Sequence, residues 1–243
     1  MKPRIAIPEP TSQNANYNQR SLPPYLDCIE AEGGEAIVIP AGAPPQEVAR
    51  LITSCQGVLL PGSPADVDPQ KYGAERHPKT APADPGRDNV DELLLQDAHN
   101  LHKPILGICY GLQSLNVWRT GTLVQHIESA LDHEVGRKQE FAHKVQIAPG
   151  SRLAGILHQQ EVKVNSSHHQ SAEKPGDGLR AVAQADDGVI EALEGTATDH
   201  FVLGVQWHPE RTYHADTPSR LIFREFLSAA RNWRPREIFE SVG

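Results

Sequence analysis

The 243-residue sequence predicts an α/β fold with a buried, mostly parallel sheet, helices on both faces and a more β-rich second half. Three observations predict it. Short, continuously apolar runs such as Gly57–Leu60 and Ile105–Ile108 alternate with amphipathic stretches in the first half, the pattern of strands covered on both sides. One such run ends in a cysteine between two glycines and continues as a helix. Beyond residue 143, strand-like segments follow one another with only turns between them.

Taken in order, Arg4–Ile7 starts a strand, and 22–32 reads as a helix opened by Pro23-Pro24 and closed by Gly33-Gly34. Glu35–Ile39 is a second strand, Pro45–Thr53 a helix and Gly57–Leu60 a third strand. Asp88–Leu101 reads as a helix with Val90, Leu93, Leu94 and Ala98 on its inner face, and Asp88 can serve as its N-cap. Pro104–Ile108 is the next strand and Gly111–Trp118 the helix after it. Strand candidates then run Lys144–Ile147, Glu161–Val164, Leu179–Gln184, Val189–Leu193 and Phe201–Trp207. Pro218–Arg231 closes the chain as a helix, with 232–243 expected as a surface tail on a single domain spanning 1–243.

Gly107-Ile108-Cys109-Tyr110-Gly111 is the sulfur counterpart of a strand–nucleophile–helix elbow. Glycines permit the sharp turn, and the following helix N-terminus favours the thiolate, the form that attacks a carbonyl carbon. A base is needed. Phe201–Trp207 delivers His208-Pro209-Glu210, a histidine at a strand end followed two residues later by a carboxylate able to fix its tautomer. Chain order is then Cys109, His208, Glu210. In parallel sheets ligands bind beyond the carboxyl ends of strands, where Cys109 and the Pro61-Gly62-Ser63 loop both fall.

Bulk properties exclude other classes. A formal charge of −8 and no basic block argue against nucleic acid. Mean hydropathy is −0.47, with no apolar run approaching the ~20 residues of a membrane span and no apolar leader core, so a cytoplasmic protein is expected. Three cysteines cannot all pair, and Cys28 and Cys55 read as packing residues. His168-His169 could suggest a metal, but no His, Cys or acidic spacing matches a zinc signature, so neither metal nor cofactor is expected. Asp66-Val67-Asp68 reads as a shaped loop rather than a magnesium site.

The chain resembles class I glutamine amidotransferase-like domains, specifically the gamma-glutamyl-gamma-aminobutyrate hydrolase branch (peptidase family C26). Five segments in the family's order carry the resemblance: residues 60–69 (LPGSPADVDP) with Tyr72, 84–88 (DPGRD), 107–113 (GICYGLQ), 164–170 (VNSSHHQ) and 204–210 (GVQWHPE). It implies a flavodoxin-like sheet and a Cys109/His208/Glu210 triad that cleaves a gamma-glutamyl amide through a glutamyl thioester. It also implies an oxyanion site from the Tyr110 N–H with Gly62 and Ser63, and a glutamyl site from Gln113, Ser166, Ser167 and His168. The expected partner is a small gamma-glutamyl substrate, gamma-glutamyl-gamma-aminobutyrate among them, as in putrescine breakdown.

Two residues depart from the family pattern. Ser63 stands where a second glycine is frequent, which favours hydrolysis over ammonia transfer, and Thr120 replaces the first of paired glycines after the nucleophile helix. The competing expectations are a glutaminase subunit that feeds ammonia to a synthase, and a non-catalytic binding module. Residues 63–87, 119–142 and 211–217 are the candidate walls for the leaving amine, whose identity the sequence leaves open, as it does oligomeric state, a homodimer included.

Overall fold

The computed structural model of the protein describes residues 2–136 and 138–235. In chain order the elements are β1 (Arg4–Pro8), α1 (Ala15–Ser21), α2 (Pro23–Ala31), β2 (Glu35–Ile39), α3 (Pro45–Ile52), β3 (Gly57–Leu60) and a 3-10 turn at Pro69–Tyr72. Then come α4 (Pro85–Leu101), β4 (Ile105–Ile108), α5 (Tyr110–Trp118), β5 (Thr122–Val124), β6 (His143–Ile147), α6 (Arg152–Leu157), β7 (Glu161–Val164) and β8 (Ser171–Lys174). The last are β9 (Leu179–Ala185), β10 (Ile190–Gly195), β11 (Val202–Val205), α7 (Pro209–Thr212) and α8 (Thr217–Asn232).

One continuous sheet runs in the order β2-β1-β3-β4-β11-β10-β9-β6-β7, with β8 joined to β10 and β5 to β8. Strands β2, β1, β3, β4 and β11 are parallel; from β10 onward every pairing is antiparallel. Alternation along the parallel strands feeds two cores. Ile5, Ile7, Leu59, Leu106, Ile108, Leu203 and Val205 face α2, α6 and α8 through Ile29, Leu153 and Phe226. Ala6, Val58, Leu60, Ile105 and Val202 face α3, α4 and α5 through Val48, Leu94 and Leu112. Being apolar on both faces is why these strands read as unbroken hydrophobic runs.

The structure corrects several expectations. Helix α4 begins at Pro85, and its N-cap is Asp84, whose carboxylate accepts from the Arg87 N–H; Asp88 lies inside the first turn. Leu93 is 36% exposed, and Leu95 is buried in its place, because the inner stripe runs Arg87, Asp91, Leu94, Leu95, Ala98. Helix α1 is too polar to announce itself: only Asn18 of it is buried, and the Asn14 cap fixes its start. Strand β11 ends at Val205, so His208 lies beyond the strand as the N-cap of α7. The expected tail is partly docked. Asn232 completes α8 and Trp233 Nε1 donates to Leu101 O, while 236–243 lie outside the described residues. All three cysteines are unpaired and buried, and no helix among the described residues is long and apolar enough to cross a membrane.

Candidate active site

Strand β4 and helix α5 meet at Cys109, which holds φ 54° and ψ −108°. A non-glycine residue in that region is strained and needs a surrounding structure that enforces it. Here Cys109 N–H donates to Val205 O at 2.8 Å, and its carbonyl accepts from Leu112 and Gln113. The flanking glycines permit the close approach: a Cβ on Gly111 would run into the Leu60 carbonyl, and one on Gly107 would meet Gly111 O at 2.7 Å.

His208 and Glu210 stand across from Cys109. A Cβ on Gly62 would lie 3.1 Å from His208 Cε1 and 3.7 Å from Cys109 Cβ, so both side chains flank the Gly62 backbone. His208 Nδ1 donates to Glu210 Oε1 at 2.8 Å, which leaves Nε2 as the unprotonated nitrogen. The pair does not form by strand alternation, as the sequence suggested. It forms because His208 caps α7 and Glu210 lies in that helix's first turn.

The electrostatics reverse one expectation. Burial pushes the Cys109 thiol up to about 12; Arg211 and the Tyr110 N–H pull the other way without winning. The helix N-terminus is present, but desolvation outweighs it. Burial also lowers His208 below its ordinary value, against the pull of Glu210. Glu210 itself is held low: burial opposes ionisation, but His208 and Arg211 together outweigh it. The resting site is therefore a thiol beside a neutral imidazole and a carboxylate.

A cavity of about 250 Å³ opens on Cys109, lined by Ser63, Gln113, Ser167, His168, His208 and Arg211. It adjoins one of about 320 Å³ that reaches Tyr25, Gly62 and Glu210. Of the residues expected at the oxyanion, Tyr110 directs its N–H to the sulfur, and its ring is buried, with the hydroxyl on Asp88. Gly62 N–H is engaged by Tyr25 Oη at 3.1 Å. Ser63 reaches the cavity, and its hydroxyl accepts from Ala65 N–H.

Among the expected glutamyl-site residues, Gln113 lines the cavity and donates to Gln170 O and Gln206 Oε1, both at 3.2 Å. Ser167 also lines it. Ser166 is fully buried and turns its hydroxyl to His133 O, and His168 directs Nε2 to Glu191.

Three further residues belong to the site: Asn165 and Tyr25, given no role by the sequence, and Arg211, expected only as part of a wall for the leaving amine. Asn165 clamps His208: its Nδ2 donates to His208 O and its Oδ1 accepts from His208 N–H, both at 2.8 Å. Its place in the Asn-Ser-Ser-His segment was the available signal. Arg211 places Nε 3.5 Å from Glu210 Oε1 and keeps Nη1 buried without a partner; its position directly after Glu210 was its signal. Tyr25 had none. Arg87 is fully buried and acts as a fastening, bonding Asp91, Pro10 O and Pro61 O, and so holding the loop that carries Gly62. Thr120 takes φ 68°, the left-handed conformation natural to glycine, and is exposed at the end of α5.

The peptidase C26 family profile matches residues 5–210. A candidate glutamine amidotransferase of Mycobacterium tuberculosis is 37% identical over 88% of this chain and 68% of its own length. Gamma-glutamyl-gamma-aminobutyrate hydrolase PuuD of Escherichia coli is 36% identical over 86% of this chain and 85% of its own. Among solved structures, a candidate GMP synthase component from Thermoplasma acidophilum superposes with TM-score 0.65 at 15% identity, covering 96% of both chains, which shows the fold alone. With the profile spanning most of the sequence and these relatives matched along most of their length, the chain belongs to the peptidase C26 family.

Proposed function

We propose that the protein hydrolyses gamma-glutamyl amides, gamma-glutamyl-gamma-aminobutyrate being the substrate suggested by its relatives, with Cys109 as nucleophile, His208 as base and Glu210 as its orienting partner. The single observation carrying this reading is the His208–Glu210 bond placed against Gly62 together with the strained Cys109. As Cys109 attacks the gamma-carbonyl carbon, its proton passes to His208 Nε2. The carbonyl electrons move to oxygen, where the Tyr110 N–H stabilises the charge. The reading gives the second oxyanion donor to Ser63 N–H, because Gly62 N–H already serves Tyr25. His208 returns the proton to the leaving nitrogen, the C–N bond breaks and a glutamyl thioester remains. Water then gives a proton to His208 and attacks the thioester carbon. The C–S bond breaks, the proton restores the thiol and glutamate departs.

A buried resting thiol suits this sequence, since the proton moves only once substrate is in place. Arg211, the cation at the cavity with a spare nitrogen, is the residue assigned to a substrate carboxylate. Purified protein incubated with gamma-glutamyl-gamma-aminobutyrate should release glutamate and gamma-aminobutyrate in equal amounts, and Cys109→Ala should release neither. Equal rates for the two proteins would refute the mechanism.

A further inference from the structure

Behind the active site, four buried side chains from separate segments converge: His133 in the loop before β6, His143 at the start of β6, His168 in the loop after β7 and Glu191 in β10. One ligand-type atom from each lies within 4.8 Å of all the others. His133 Nδ1, His143 Nε2 and His168 Nε2 stand 3.3, 3.4 and 3.5 Å from the same atom, Glu191 Oε1. These are long for charge-assisted hydrogen bonds, which run ~2.7–2.9 Å. They match the three edges that meet at one corner of a tetrahedron whose centre lies ~2.0–2.1 Å from each corner, the bond length of zinc to histidine nitrogen and carboxylate oxygen.

The outer nitrogens show where the protons are. His143 Nδ1 lies 3.2 Å from Lys144 O and His168 Nδ1 2.9 Å from Gln170 O. A carbonyl only accepts, so both rings donate outward. His133 Nε2 contacts Asp187 Oδ2 at 2.8 Å in the same manner. In the neutral rings the inner nitrogens are then lone pairs directed at a carboxylate, although Glu191 and Asp187 both favour a protonated His133 when no metal is bound. All three, and both Glu191 oxygens, are buried with no hydrogen-bond partner. Lone pairs and a carboxylate repel one another unless a proton or a metal ion lies between them, and four ligand atoms converging on one point favour the metal ion. A metal-bound histidine also usually donates its other ring N–H to a carboxylate or carbonyl, as these three do.

We propose that His133, His143, His168 and Glu191 bind one zinc ion in a closed tetrahedral site. Three nitrogens and one carboxylate oxygen suit zinc, and four protein ligands leave no open position for a reacting water, so the role is structural. The ion ties the loop carrying Ser167 and Gln170, which line the cavity at Cys109, to β10 and to the segment before β6. The sequence concealed it because its four ligands share no short spacing.

The test strips the full-length protein with a chelator and titrates it with Zn²⁺ and, separately, with Co²⁺. Elemental analysis after gel filtration should find about one zinc per chain, with Cys109→Ala unchanged. The Co²⁺ form should show the intense visible absorption of a tetrahedral site. His143→Gln and Glu191→Gln should each weaken zinc binding by at least about tenfold, and added Zn²⁺ should raise Tm in the wild type but not in these variants. No stoichiometric zinc in the wild type, a weak octahedral cobalt spectrum, or binding undiminished in both variants would overturn the proposal. None of these readouts uses turnover, so they stand apart from the hydrolase reading.

Discussion

Asn165→Ala removes the two 2.8 Å hydrogen bonds that fix the His208 backbone, and both partners are buried. Each bond contributes about 0.5–1.5 kcal/mol net, and a buried N–H or C=O left without a partner loses about 1–3 kcal/mol. Where the pocket partly rehydrates, the combined destabilisation is about 2–4 kcal/mol. At roughly 2–4 °C per kcal/mol for a domain of this size, Tm falls by about 4–16 °C. Activity falls for a separate reason. His208 reaches Glu210 only because it caps α7 in one backbone setting, and a misplacement of about 1 Å near the chemistry can lower rate ~100-fold. The assay pairs differential scanning fluorimetry with steady-state release of glutamate well below the new Tm. The expected result is a lower kcat with KM little changed, because Asn165 bonds to His208, the proposed base, and not to Arg211 or Gln113, which line the cavity. A variant with wild-type Tm and wild-type kcat would refute the reasoning that this clamp sets the base.

Other perturbations separate the remaining parts of the account. Arg211→Ala should raise KM and lower kcat/KM by about 10–100-fold, the range of a charge-assisted bond to a carboxylate; an unchanged KM would remove Arg211 from substrate binding. Because His208 is shifted down, the acidic limb of kcat/KM should have an apparent pKa below ~6.5, with the rate lost as pH falls and the base becomes protonated; a limb above that value would contradict the neutral resting imidazole. Thr120→Gly should leave activity intact and raise Tm by a few degrees. Relief of about 1–2 kcal/mol of left-handed strain exceeds the ~0.5–1 kcal/mol entropic penalty of glycine, and the exposed side chain loses no packing; a lower Tm would show that Thr120 makes an unrecognised contact.

What the sequence revealed follows from where each interaction lies along the chain. Strand β3 was legible with its bounds, and β4 with its end but with a start one residue early, because residues buried on both faces must be continuously apolar. Helix α1 was not, since its polar residues bury little and its start depends on an Asn14 cap. That Cys109, His208 and Glu210 lie together was legible because each is bracketed by residues with a backbone reason to be there: glycines that allow contact with Leu60, and a proline that opens α7. Asn165 and Tyr25 act across long sequence separations on backbone groups; Asn165 had only its place beside Ser166 to mark it, and nothing local marks Tyr25, whose hydroxyl serves another segment's peptide. The thiolate expectation failed for the same kind of reason. A helix N-terminus is a local feature, whereas the burial that overrides it is set by the whole fold.

The central claim is that Cys109 carries a glutamyl group during turnover, and acid-quenched mixing of enzyme with a gamma-glutamyl amide followed by peptide mass analysis tests it most directly. The expected result is a transient mass increase of one glutamyl residue on the peptide containing Cys109, trapped in greater amount by a His208→Ala variant given an activated gamma-glutamyl ester, since the proposed base also serves deacylation. Glutamate release with no adduct on that peptide at any quench time, or an adduct that persists in Cys109→Ala, would contradict it.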